Sequence, residues 1–342
     1  MAAYISFQPT DFFNTKLYTG TAATLAVTGV GFQPDWIWLK SRSTTSNSGV
    51  YDSVRGVENG LASNLGSPPN TSDDGVEAFG VDGYTLGTNG NTNASGTTYV
   101  SWNWKAGTTS VPSGGSITPS AVSLNTTSKF GIYKWSGTGA TSATIAHGLG
   151  AAPLFLIVKN ISGTADWAVL PTNIYNDRRL SLNSNGTYSG GSDQFYDTTP
   201  TSTLFTLGAS TNTNASGSDY IAYAAAATRG FSSFGKYTGN GNINGPFVNT
   251  GFRPAWVVRK LIGTDSWMMC DNKRLGYNPD NAYLFADGTN AESDIERINF
   301  LSNGFKLRTT DGGDNGNGSV YLYWAFAEFP FVSSNSKAGT AR

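Results

Sequence analysis

Three stretches of this chain follow one pattern: GFQPDWIWLK at 31–40, LGAAPLFLIVK at 149–159 and GFRPAWVVRK at 251–260. Each places a Gly and a short spacer before a Pro, then a bulky apolar run closed by a cation. The prolines, Pro34, Pro153 and Pro254, are 119 and 101 positions apart. A second landmark, Tyr99, Tyr220 and Tyr321, steps by 121 and 101. Two independent landmarks keeping pace imply three homologous units, and a repeated unit is the strongest constraint on the fold. A Tyr/Trp-Thr/Ser-Gly corner precedes each proline motif (LYTGTA 17–22, KWSGTG 134–139, KYTGNG 236–241). GYTLGTN (83–89), TLFTLGAS (203–210) and GFKLRTT (304–310) also recur in order. NTNASG stands at 91–96 and again at 212–217, with the degenerate GDNGNG at 313–318 in the same place.

The periods are those of strands. WIWLK and FLIVK are short and apolar on both faces, as in a central strand packed on two sides. In VYLYWAFAEF both alternating sets are apolar, so this strand is expected to be buried between layers. Each proline sits where a strand begins and a lost N–H is harmless. Asn and Gly make NTNASG a tight turn. With 42 Gly, 13% aromatic residues and few strong helix formers, the expected class is all-β. We expect three tandem antiparallel β-sandwich units, lectin- or jelly-roll-like, with little helix. Only NAESDIERINFL (290–301) has a helical face.

The expected organisation is an N-terminal docking segment plus first unit at 1–105, a second unit at 129–228, and a third unit with C-terminal tail at 229–342. Between the first two, AGTTSVPSGGSITPSAVSLNTTS (106–128) reads as a linker. A row of sandwiches is the most economical arrangement, with packing into one larger body as the alternative.

Chemistry is sparse. The single histidine, His147, reads as a turn residue and cannot supply a zinc cluster or a Ser-His-Asp set alone. No glutamates fall in the strand pattern of a glycanase. Asp73, Asp74 and Glu77 cluster in what reads as an exposed loop. In DGGDNGNG, Asp311, Asp314 and Asn315 are weak calcium candidates, off the register of a calcium loop. No cofactor, metal or catalytic residue is expected. Trp102, Trp104, Trp135, Trp167, Trp267 and Trp324 could stack on sugars, but most occupy recurring strand positions that suit core packing. Phe7, Phe12 and Phe13 lie outside the repeat and are candidate docking anchors, with core packing the alternative.

Charge is balanced, 22 basic against 23 acidic residues, which gives no attraction to nucleic acid. No apolar run is long enough to insert in a membrane. Cys270 is alone, and MAAYISFQPTDFF does not read as a secretion signal. An outward-facing surface without export or disulfides suits a virus particle assembled in the cytoplasm and released by lysis.

GFQPDWIWLKSR…YDSVRG and GYTLGTNGNTNASGTTYVSWNWKAG in the first unit resemble the repeated domains of virion structural proteins of tailed bacteriophages, many from marine and cyanobacterial hosts. GFRPAWVVRK…DNKRLGYNP…LSNGFKLR…VYLYWAFAE in the third unit is similar. The resemblance implies a non-enzymatic virion protein, a tail fibre or fibre-like adhesin, with other virion proteins as partners and host glycan as a contact. Phage appendages are often trimeric, so a homotrimer is expected. A capsid decoration or head fibre is one alternative, and a carbohydrate-binding module or glycan-active enzyme the other. No catalytic residues come with the resemblance.

Overall fold

The computed structural model describes residues 5–71, 73–172, 177–190, 193–274, 278 and 282–330. Residues 331–342, assigned above to the third unit, lie outside the described residues. The chain is all-β, and every pairing between its strands is antiparallel.

Each unit is a large sheet faced by a small one. In the first, the large sheet runs Phe13–Thr19, Thr98–Trp104, Trp36–Ser41, Gly49–Asp52 and Leu61–Ala62. Its small sheet is Leu25–Thr28, Gly83–Leu86 and Val76–Gly80. The third unit repeats this with Ser232–Thr238, Val320–Pro330, Phe252–Leu261, Met268–Asp271 and Tyr283–Phe285, over Phe247–Asn249, Gly304–Leu307 and Ile298–Leu301. The second keeps Phe130–Ser136, Asp219–Ala225, Phe155–Asn160 and Ala168–Val169 in the same order, over the pair Ala143–Ala146 and Leu204–Leu207.

Pairing register gives a residue-by-residue equivalence. Trp36, Phe155 and Trp256 face Trp104, Ala225 and Phe326 across the ladder. Successive side chains point to opposite faces, and the two faces have different destinations. Trp36 and Trp38, Phe155 and Ile157, Trp256 and Val258 enter one core shared by all three units. Ile37 and Leu39, Leu156 and Val158, and Val257 enter a private core beneath each small sheet. That double burial is why these strands are apolar on both faces.

The units close in a ring. Trp36 of the first unit stacks on Tyr223 of the second, centroids 4.7 Å apart. Phe155 of the second meets Trp324 of the third at 4.5 Å, and Trp256 of the third meets Trp102 of the first at 6.1 Å. These are the same two equivalent positions each time, so the third unit returns to the first. All nine tryptophans are among the fully buried side chains. Eight of them line the shared core and Trp135 the second unit's own core; rings of this size each remove about 150–250 Å² from water.

Two expectations are corrected. The stretch 106–128 carries the strand Ala121–Asn125, paired with Phe130–Ser136, and Ile117, Val122 and Leu124 join the second unit's core. The Ser, Thr and Gly around these apolar residues hid a sheet edge. NAESDIERINFL forms no helix; Ile298–Leu301 is a strand paired with Gly304–Leu307. Ile298 and Phe300 are two apart and both enter the third core, a strand period inside an apparently helical stretch. Helix among the described residues is limited to Gly90–Asn93, Gly312–Asn315 and the 3-10 turn Pro9–Asp11.

Candidate functional site

The recurring polar turn and the recurring corner meet in space. In the first unit, Asn93 is buried; its Oδ1 accepts from Thr21 N at 2.8 Å and its Nδ2 donates to Ala23 O and Gly87 O at 2.6 Å each. Asn214 does this for Thr138 N and Ala140 O, and Asn315 for Asn240 N and Asn242 O. The Tyr99 hydroxyl accepts from Ala94 N at 2.9 Å and donates to Gly90 O at 3.0 Å, closing the turn; Tyr220 and Tyr321 do the same. The corner glycines Gly20, Gly137 and Gly239 lie against turn backbone, where a Cβ would collide with a carbonyl. The repeated hexapeptide therefore serves as a clamp between corner and turn.

Beneath this clamp the units diverge. At equivalent positions on the strand beside the central one stand Tyr51, Leu170 and Cys270. The second unit fills the space with apolar side chains, Val158 and Leu170 among them. The third buries an ion pair there, Arg259 Nε to Asp314 Oδ1 at 2.8 Å, with Arg259 Nη2 at 3.0 Å from Met268 Sδ. Asp314 and its attraction hold the Arg259 guanidinium above its ordinary pKa despite burial, while burial pushes the Cys270 thiol up. The first unit leaves a cavity of about 200 Å³.

Tyr51 and Asp73 form the cavity's inner wall. The Tyr51 hydroxyl donates to Asp73 Oδ2, and Asn89 Nδ2 donates to Asp73 Oδ1. Gly60 and Gly75 allow this meeting, because a Cβ at Gly60 would strike the carboxylate and one at Gly75 the hydroxyl. Burial raises the pKa of both groups. Asn47, Asn91, Leu65 and Pro68 complete the part that opens to solvent. Asp73 is thus buried rather than loop-exposed, a correction to the reading of the Asp73–Glu77 cluster. Asp74 instead caps Thr88 N at 2.7 Å, and Glu77 lies on the strand Val76–Gly80. Tyr51 carries no signal in sequence beyond being one more strand aromatic.

The other candidates have internal partners. Asp311 pairs with Arg297 at 2.9 Å, Asp314 Oδ1 with Arg259 at 2.8 Å, and Asn315 Oδ1 accepts from Asn240 N, so each of the three already has an internal partner. Among the described residues no three His, Cys, Asp or Glu side chains form a metal cage. Phe7 and Phe12 pack edge to face on each other and on Phe231, while Phe13 stacks on Phe326 at 5.5 Å. These anchors hold this chain's own core. His147 is buried between Leu149 N, 3.1 Å from Nδ1, and Thr201 O, 3.2 Å from Nε2; burial lowers its pKa, consistent with a neutral ring. Trp167 Nε1 donates to Ala62 O and Leu65 O of the first unit, and Trp267 Nε1 to Ser181 O of the second. They bind neighbouring units rather than presenting faces to a sugar.

Together these features define an all-β scaffold of three sandwich units locked on a common aromatic core, with a polar cavity walled by Tyr51 and Asp73 in the first. A family model described as a domain of unknown function, DUF7483, matches residues 8–330, and the chain belongs to that family. No curated protein and no solved structure matches it.

Proposed function

We propose that this protein is a non-enzymatic structural component of a bacteriophage particle, displayed on its surface as a tail fibre or fibre-like adhesin. The observation that carries the reading is where the repeated residues go. The clamp asparagines fasten corner to turn within each unit and the tryptophans hold units together, so the repeat supports shape rather than three copies of a reaction centre. The resemblance of the repeated strings to phage virion domains supports the source. Capsid decoration is the second reading, favoured by the closed ring, a compact shape that suits a knob as well as a fibre end.

Antibody labelling of intact particles tests this. Signal at the tail supports the fibre, signal on the capsid supports decoration, and particles that carry none overturn the proposal. Mass measurement in solution reads the proposed homotrimer. Release of reducing sugar from a polysaccharide panel would overturn the non-enzymatic reading.

A further inference from the structure

We propose that the cavity of the first unit binds one ring of a neutral sugar. The inference rests on the display reading for where the sugar comes from, a host surface glycan, and on the cavity itself for its chemistry. A carboxylate has about four lone-pair positions, and Asp73 uses one on Tyr51 and one on Asn89. The remainder suit the hydroxyl donors of a polyol. The side-chain oxygens of Asn47 and Asn91 are engaged by Asn64 and Ser46, which leaves their NH2 groups to donate to a ligand. Leu65 and Pro68 supply an apolar wall for the C–H face of a ring.

Size and charge narrow the class. A volume of about 200 Å³ is below the roughly 300–1,000 Å³ of pockets that hold larger ligands, so one ring fits and the rest of a glycan would remain outside. Among the described residues no Lys or Arg lines the cavity, and Asp73 would repel an acidic sugar. The third unit places the Arg259–Asp314 ion pair beneath its clamp and the second unit apolar Val158 and Leu170, so the Tyr51–Asp73 wall belongs to the first unit.

The test is saturation-transfer NMR on the full chain with the methyl glycosides of glucose, galactose, mannose, N-acetylglucosamine and glucuronic acid. Transfer is expected to at least one neutral glycoside and to be weaker for the glucuronide. Asp73→Asn is expected to weaken binding by about tenfold, the loss of one charge-assisted hydrogen bond. Because Asp73→Asn could disturb the fold, Ser67→Trp on the exposed rim is the second variant: it closes the mouth, keeps the melting temperature and abolishes transfer. No transfer from any neutral glycoside, or transfer unchanged in Ser67→Trp, overturns the assignment. If the protein is found on particles and yet no glycoside responds, the cavity proposal falls and the display reading stands. If glycosides respond but particles carry no protein, the reverse holds.

Discussion

The first and third units share strand order, clamp asparagine, closing tyrosine and corner glycine, yet solve one space beneath the clamp in opposite ways. Where the first has Leu39 and Thr92, the third has Arg259 and Asp314, and the charges pair at 2.8 Å with both side chains fully buried. Where the third has Cys270, the first has Tyr51, which reaches Asp73 and walls a cavity of about 200 Å³. The second unit has Val158 and Thr213 at the same place, an uncharged pair whose hydroxyl donates to Gly208 O. The frame set by strands and clamp does not depend on the filling. One repeat can therefore keep its scaffold while the side chains beneath the clamp change.

The sharpest way to break this comparison is at the ion pair. Asp314→Asn strands a buried guanidinium and is expected to cost about 3–5 kcal/mol, read by urea unfolding. Restoring the first unit's residue at one site and its small hydroxyl at the other, Arg259→Leu with Asp314→Thr, is expected to be at least as stable as the natural chain. A double variant as damaged as Asp314→Asn alone would mean the third unit's frame depends on its filling after all.

A smaller contrast lies between units. Asp271 of the third unit accepts from Trp102 Nε1 at 2.9 Å, and Asp52 of the first accepts from the Tyr223 hydroxyl at 2.6 Å. The equivalent position in the second unit is Pro171, which has no acceptor side chain, and Trp324 Nε1, the group that completes the cycle, has no hydrogen-bond partner among the described residues. Trp102→Phe is expected to cost about 1–3 kcal/mol more than Trp324→Phe, because only the former breaks a buried bond to a carboxylate.

The remaining effect is one of pH. Lys40, Lys159 and Lys260 are equivalent, buried and bonded through Nζ to backbone carbonyls, two of them in a neighbouring unit, Gly288 O for Lys40 and Gly66 O for Lys159. Burial pushes each from 10.5 down to about 8. Below pH 8 the charged form is held in both folded and unfolded states and its burial penalty is fully present. Between about 8 and 10.5 the unfolded chain binds more protons, so stability rises with pH. Buried tyrosines such as Tyr84 and Tyr133, raised by desolvation, reverse the trend above 10. Urea midpoints are expected to peak near pH 10, and Lys159→Met to flatten the rise.

Much of the architecture was legible in sequence, and the illegible parts have a common cause. Strand identity, turn chemistry and the threefold repeat are local properties, set by side-chain period and by Asn and Gly at fixed offsets. The strand at 121–125 escaped because two core residues sat among polar neighbours. Asp73 was misplaced and Tyr51 overlooked because their partner relation spans 22 positions and depends on two glycines that only matter once the chain has folded.

By itself the sequence determined that three copies of one β unit exist and which faces of their strands are apolar. The tertiary structure decided that one face of each meets its counterparts in a single ring, which carboxylates are buried, and that Tyr51 and Asp73 come together beside a cavity in the first unit. Burial and pairing depend on groups brought together from distant parts of the chain, and no local pattern carries that information.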